Sequence, residues 1–172
     1  APRLPEFLEC HPNMNVRIIS SVWNDAFDHD VFDFDIQHGT GNWSGVRSHR
    51  LTWETITPLC ARALAEHLKH PDDLQNQRLL HVMGYQEGWG TWLQAAGAKA
   101  VNPGRGLQFD TSLTAFEVAA CGGGVALGRL SLTKDARAQG KLVAPFKLEL
   151  PIDEAFHLLE PVGQNLHADA AT

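Results

Sequence analysis

The sequence predicts an α/β fold, because short apolar strand patterns alternate with helical patterns along most of its 172 residues. Hydrophobic residues make up 44% of the chain and charged residues 20%, which is typical of a globular protein with a sizeable core. Glycines follow the helical patterns at Gly97, Gly122 and Gly140, where positive φ ends a helix without steric cost. Strands separated by helices of this length predict mainly parallel sheets.

The first third of the chain predicts one clear helix followed by several strands. Leu4, Phe7 and Leu8 form an i, i+3, i+4 apolar stripe on an opening helix that ends before Pro12. The elements predicted after it are a strand at 16–20, a short helix at 26–31, a strand through Phe34 and Ile36, a loop at 38–42 and an alternating apolar stretch at 51–59.

The middle of the chain repeats this order of strand and helix. Residues 71–74 form a turn that enters a helical segment, and residues 79–82 read as a short apolar strand. Trp89, Trp92, Leu93 and Ala96 then line one face of a helix that Gly97 ends. This order is typical of a βα unit.

The segment 107–129 is the most informative part of the chain. It reads as a strand, a helix capped by Asp110, Thr111 or Ser112, a triple-glycine stop at 122–124 and a second apolar strand. Because a helix that begins directly at a strand end presents free N–H donors, its start suits a small anionic ligand. A short helix at 134–138 and strands at 142–146 and 155–159 complete the prediction.

Charge and cysteine content argue against several classes of protein. The chain has 14 Lys and Arg residues and 20 Asp and Glu residues. Its net charge of −6 disfavours direct binding to nucleic acid or to an anionic membrane. Three cysteines without a C-x-x-C pair favour neither a disulfide framework nor a zinc ribbon, and they indicate a reduced, cytoplasmic setting. No apolar run reaches the roughly 20 residues that a membrane helix needs.

The candidate chemistry indicates ligand binding rather than catalysis. The glycines at 122–124 follow a helix, whereas a phosphate-binding loop precedes one, so we interpret them as a helix stop. Nine histidines are present, but none has the H-E-x-x-H spacing of a zinc site. His38 differs, because it lies in a predicted strand-end loop, where α/β folds bind ligands. We therefore expect no catalytic residue, no metal and no cofactor.

Five motifs in a fixed order resemble one family of bacterial regulators. They are APRLPEF at 1–7 with His11 and Pro12, FDFDIQHGTGNW at 32–43, TPLC at 57–60, WLQAAG at 92–97 and GVALGR at 124–129. Together they span nearly the whole chain. The ordered set resembles the effector-binding domain of LysR-type transcriptional regulators, in the branch of the glycine-cleavage activator and the β-lactamase regulator.

The resemblance implies two Rossmann-like subdomains, joined by two crossover strands, that hold a small-molecule effector between them as in type 2 periplasmic binding proteins. Subdomain I would comprise residues 1–61 and 149–172, and subdomain II residues 62–148. The family's first strand and its winged helix-turn-helix would precede Ala1. The residues that the resemblance places against the effector are Ser20, Ser21, Trp23, Gln37, His38, Gly39, Thr57, Pro58, Phe109, Asp110 and Thr111.

The resemblance also implies the partners of the domain. We expect a homodimer or homotetramer, promoter DNA bound only through the winged helix-turn-helix, and no membrane contact. The apolar side chains predicted at the dimer interface are Leu4, Phe7 and Leu8 on the opening helix, with Leu113, Phe116 and Ala120 on the helix after residue 110. The alternatives are a periplasmic-type solute-binding protein for uptake and a small hydrolase or metal enzyme built around His38 and Asp110.

Overall fold

The computed structural model describes residues 4–20 and 33–162, and these form two β-sheets flanked by helices. In chain order the elements are α1 (Leu4–Cys10), β1 (Asp35–Gly39), β2 (Val46–Arg50), β3 (Thr55–Leu59), α2 (Arg62–Ala65), a 3₁₀ helix (Pro71–Asn76), β4 (Leu79–Val82), α3 (Trp89–Ala95), β5 (Gly106–Phe109), α4 (Ser112–Ala120), β6 (Val125–Arg129), α5 (Leu130–Ala138), β7 (Leu150–Pro151) and β8 (Ala155–Pro161). The predicted α/β class is confirmed. No helix in this part of the chain has the length and apolar character needed to cross a membrane.

Five strands form the larger sheet, in the order β5-β4-β6-β3-β7. β4 pairs in parallel with β5 and β6, whereas β3 runs antiparallel to both β6 and β7. The strand pairs of the smaller sheet are antiparallel, so the prediction of mainly parallel sheets is wrong. The physical reason lies in the path of the chain between the two sheets. The chain leaves the smaller sheet through β3 and returns to it through β7, so these two strands run in opposite directions.

The core lies on both faces of the larger sheet. All five positions of β6 are buried, and its successive side chains Val125, Ala126 and Leu127 alternate between two apolar clusters. α3 supplies Trp92 to the first cluster, and α4 supplies Ala119 to the second. Burial on two faces explains why this strand is continuously apolar and was recognisable from its sequence.

The smaller sheet is built around β8, which lies between β1 and β2. Its register places His38 opposite Phe156 and Gly39 opposite Ala155. This sheet is less covered than the larger one, and Ile36 on β1 is 61% exposed. β2 was not predicted, because Val-Arg-Ser-His-Arg contains a single apolar residue.

Two strands predicted from apolar runs are wrong. Residues 16–20 form no ladder with any described strand, and Ile18 within them is 68% exposed. Residues 142–146 contribute only an isolated bridge between Val143 and Cys60. An apolar run predicts a tendency to be buried, but a strand also needs a partner for its backbone hydrogen bonds. The helix predicted at 26–31 lies outside the described residues.

The helix ends follow the local chemistry of the sequence. Thr111 caps α4, because its side-chain oxygen accepts a hydrogen bond from the backbone N–H of Thr114 at 3.3 Å. At the other end Gly122 has a φ of +80° and donates its N–H to the carbonyl of Ala119 at 3.0 Å. The interpretation of the triple glycine as a helix stop is thus confirmed. α5 begins at Leu130 rather than at the predicted residue 134.

Candidate functional site

A small cavity lies at the carboxyl ends of β4 and β6. Open α/β sheets bind ligands at this edge, where strand ends and the following loops form a crevice. The cavity has a volume of about 90 Å³. Its walls are formed by Leu80, His81, Val82, Tyr85, Glu87, Gly88, Trp89, Leu127 and Arg129.

Arg129, the last residue of β6, is the central charged group of this site. Its side chain is only 2% exposed. Nε donates a hydrogen bond to Nε2 of His38 at 3.2 Å, and Nη2 donates to the Glu87 carbonyl at 3.0 Å and to Oε2 of Glu154 at 3.1 Å. The guanidinium carbon also lies 3.2 Å from the centroid of the Tyr85 ring. These contacts compensate for the removal of the charge from water and hold the side chain in place.

His38 connects the smaller sheet to this site. Its ring packs edge-on against Tyr85 and Phe156, with centroid distances of 4.7 and 4.8 Å. Because Nε2 accepts a hydrogen bond from Arg129, the ring is neutral and carries its proton on Nδ1, which lies 4.0 Å from Oε1 of Glu154. Burial, followed by the positive charge of Arg129, lowers the pKa of His38 to about 4. A neutral imidazole therefore joins the two sheets.

Glu87 and Glu154 each bind the backbone of the other's loop. The Glu154 carboxylate accepts hydrogen bonds from the N–H groups of Gln86 at 3.0 Å and of Glu87 at 3.1 Å. In return, Oε2 of Glu87 accepts from the N–H groups of Asp153 at 3.0 Å and of Glu154 at 3.2 Å. Hydrogen bonds to an ionised acceptor are stronger than neutral ones. This exchange joins the loop after β4 to the segment between β7 and β8.

The start of α4 reaches the same site through Tyr85. The hydroxyl oxygens of Tyr85 and Ser112 lie 2.7 Å apart, and the Tyr85 ring packs edge-on against His38. Thr111 is half-buried beside Ser112, whereas Asp110 is exposed. The predicted lip of the cleft is therefore linked to His38 by one aromatic side chain.

The structure brings only part of the predicted effector set to the cavity. His38 contacts the cavity-lining Arg129 directly. Thr57 and Pro58 are buried in β3, where the Thr57 hydroxyl donates to the Leu148 carbonyl at 3.0 Å. β3 lies between β6 and β7 in the larger sheet, and none of its residues lines the cavity.

The other predicted residues lie near the strand ends or further away. Gln37 donates to a carboxylate oxygen of Asp35 at 2.6 Å, and Gly39 packs so closely on Trp43 that a Cβ would lie 2.9 Å from the ring. Phe109 packs against the second apolar cluster, and Ser20 is exposed. Ser21 and Trp23 lie outside the described residues. Contact between these side chains and an effector stays a prediction.

Sequence reasoning missed the charged partners of Arg129. They are the carboxylates of Glu154 and Glu54, whereas Glu87 meets Arg129 through its backbone carbonyl. Glu54 is 3% exposed and accepts from the N–H of Ser131 at 3.1 Å, while its Oε1 has no partner among the described residues. One signal was present in the sequence. An arginine that ends a buried apolar strand needs a counter-charge, since an unpaired buried charge is very costly.

A larger depression, of about 320 Å³, lies at the amino ends of the same strands. Its lining includes the exposed Arg78 and Arg105 together with the glycines at 122–124. Close packing explains the last of these glycines, because a Cβ on Gly124 would lie 2.4 Å from the Arg78 carbonyl oxygen. None of the residues lining this depression is a buried charged group. The cavity beside Arg129 is therefore the better candidate site.

Family comparison agrees with this geometry. The model of the LysR substrate binding domain matches residues 1–171. The chain belongs to this family. The HTH-type transcriptional activator AmpR of Rhodobacter capsulatus is 36% identical over 151 residues, which are 88% of this chain and 52% of that protein. The glycine cleavage system transcriptional activator of Escherichia coli K12 is 32% identical over 161 residues, covering 92% and 52% respectively.

Solved structures lead to the same family. The effector domain of the transcriptional regulator AmpR of Pseudomonas aeruginosa matches this LysR substrate-binding domain with a TM-score of 0.86 at 29% identity, covering 99% of this chain and 82% of that one. The predicted two-subdomain architecture, similar to that of type 2 periplasmic binding proteins, is confirmed. The chain spans about half the length of the curated relatives it matches. Those relatives are transcriptional regulators, which favours a regulator over an uptake protein or an enzyme.

Proposed function

We propose that this LysR substrate-binding domain senses a small-molecule effector and dimerises within a cytoplasmic bacterial transcriptional regulator. The effector would occupy the cavity beside Arg129. Residues 1–61 and 149–172 would form subdomain I, and residues 62–148 subdomain II. Promoter DNA would bind to a winged helix-turn-helix that is not part of this sequence.

The observation that carries the proposal is the hydrogen bond between Arg129 and His38. It joins one residue of the larger sheet to one residue of the smaller sheet, at the wall of a cavity. A ligand that contacts Arg129 changes the free energy of this bond, and with it the preferred orientation of the two sheets. In an oligomer, such a reorientation alters the spacing of the attached DNA-binding domains.

A thermal-shift screen of small carboxylates, amino acids and amines tests the sensing role, because a ligand that binds only the folded chain raises Tm by mass action. A compound that raises Tm should also slow amide hydrogen exchange at Gln86 and Glu87 in the cavity loop. Leu107, on the edge strand β5, serves as the control and should keep its exchange rate. Compounds that protect only amides remote from the cavity would argue against a cleft sensor.

Dimerisation is proposed through α1 and α4. Leu113 on α4 is 72% exposed, and Phe7 and Leu8 on α1 are each 39% exposed. Apolar side chains grouped on two helices suit association with a second copy. Leu113→Glu should lower the mass measured by light scattering at micromolar concentration toward the 18.9 kDa of one chain. Leu132→Glu changes an exposed leucine on α5 and is the matched control. A wild-type chain that is already monomeric would contradict the proposal.

A further inference from the structure

Arg129 has hydrogen-bond donors that no described residue accepts. A guanidinium carries five N–H groups. Three of them are accounted for by His38, the Glu87 carbonyl and Glu154. The two N–H groups on Nη1 have no acceptor among the described residues. Two donors without a described acceptor on a side chain that is 2% exposed are an unusual arrangement, because buried polar groups are nearly always paired.

The Nη1 donors belong to a side chain that lines the cavity. The unpartnered side-chain atoms that are fully sealed from solvent, in the described part of the chain, are Oε1 of Glu54, Oγ1 of Thr55 and Nε2 of His157. Nη1 is not one of them, and Arg129 lines the cavity of about 90 Å³. A ligand in this cavity therefore lies beside the guanidinium.

The cavity is small and open to solvent, so it suits a small group of a ligand. Leu80, Trp89 and Leu127 form apolar walls that suit a short hydrocarbon tail. The unused donors suit a carboxylate, whose two oxygens match the guanidinium geometry.

We propose that the effector is a small aliphatic carboxylate whose oxygens accept hydrogen bonds from Nη1 of Arg129, an inference that rests on the proposed sensing function. The carboxylate belongs either to a simple acid or to an amino acid. Glu87 lines the same cavity, and its Oε1 has no partner among the described residues, so an ammonium group on the ligand would find a counter-charge there.

Calorimetry with three probes tests the carboxylate assignment. Propionate and alanine present a carboxylate without and with an ammonium group, and ethylammonium presents the cation alone. We expect propionate or alanine to bind and ethylammonium not to bind, with sodium chloride at equal ionic strength as the reference. Binding by alanine alone identifies an amino acid, and binding by both identifies the carboxylate as sufficient.

A variant that fills the cavity tests the location without touching Arg129. Gly88 lines the cavity in an extended conformation with a φ of −132°, and a Cβ there meets no heavy atom within 4 Å. Gly88→Val should therefore fold and raise the Kd of the binding probe about tenfold or more, because the added side chain occupies ligand space. Gly90→Val is the matched control, since Gly90 is equally unobstructed but does not line the cavity.

A substitution of Arg129 and the binding results together test the carboxylate assignment. Arg129→Lys keeps the charge but loses the planar fork, so it should weaken propionate or alanine about tenfold; if it does not fold, shifts of the Arg129 side-chain nitrogen signals in the wild-type chain replace it. Carboxylate binding that survives Gly88→Val would overturn the location. Ethylammonium binding that Gly88→Val abolishes would overturn the carboxylate chemistry and leave the sensing function intact. Failure of all three probes to bind would overturn this inference, while a larger hit protecting Gln86 and Glu87 would still support sensing.

Discussion

His38 should make the folded state sensitive to mild acid. The unfolded chain takes up a proton on this histidine near pH 6.5, whereas the folded chain does so only near pH 4. The stabilisation is therefore fully present above pH 6.5 and is lost as the pH falls from about 6.5 toward 4. At about 1.4 kcal/mol for each tenfold change in proton affinity, the complete loss is about 3 kcal/mol. About 2 kcal/mol of it should already be gone at pH 5.

Urea unfolding at pH 7.5 and pH 5 measures this loss. His38→Gln keeps an acceptor for Nε of Arg129 but removes the titrating ring, so the variant should lose about 2 kcal/mol less than the wild type between the two pH values. His157, whose pKa burial also lowers, is present in both proteins and cancels in the comparison. His67→Gln, which removes an exposed imidazole, is the matched control. Equal losses in the wild type and in His38→Gln would refute a neutral, buried imidazole at this position.

Three further substitutions test the packing and the charge balance by urea unfolding. Trp92→Ala removes a fully buried side chain and should cost about 3–5 kcal/mol; a cost below about 1 kcal/mol would contradict the core described here. Thr111→Ala removes the cap of α4 and should cost about 1 kcal/mol, an effect that Thr111→Ser should largely avoid. Glu154→Gln leaves Arg129 buried without its paired charge and should cost about 3–5 kcal/mol. Glu160→Gln, at a partly exposed pair, should cost less than about 1 kcal/mol.

Elements with a strong local signal could be predicted from the sequence. The helix through Trp89 and Trp92 combines apolar spacing with a glycine stop, and β6 is apolar at successive positions because both of its faces are covered. β2 gave no such signal, since much of it faces solvent. Residues 16–20 gave a false strand signal. Their apolar side chains match a strand pattern, but the backbone pairs with no other described strand.

The candidate site could be predicted only where one residue carried its own signal. His38 was identified because the sequence predicts a loop at a strand end there, although the structure places it within β1. Tyr85 and Glu154 stand in loops whose local sequence resembles any other surface loop. They become site residues only when the fold places Tyr85 over the Arg129 guanidinium and Glu154 at its edge. Such contacts join positions far apart in the chain, and no local pattern encodes them.

The exchange of carboxylates between Glu87 and Glu154 has a mechanical consequence. Glu154 directly precedes β8, the strand on which both neighbours of the smaller sheet depend. Four hydrogen bonds connect the loop that lines the cavity to the start of β8. If a ligand in the cavity displaced that loop, these hydrogen bonds would transmit the displacement to the start of β8 and so to the strand that both β1 and β2 pair with.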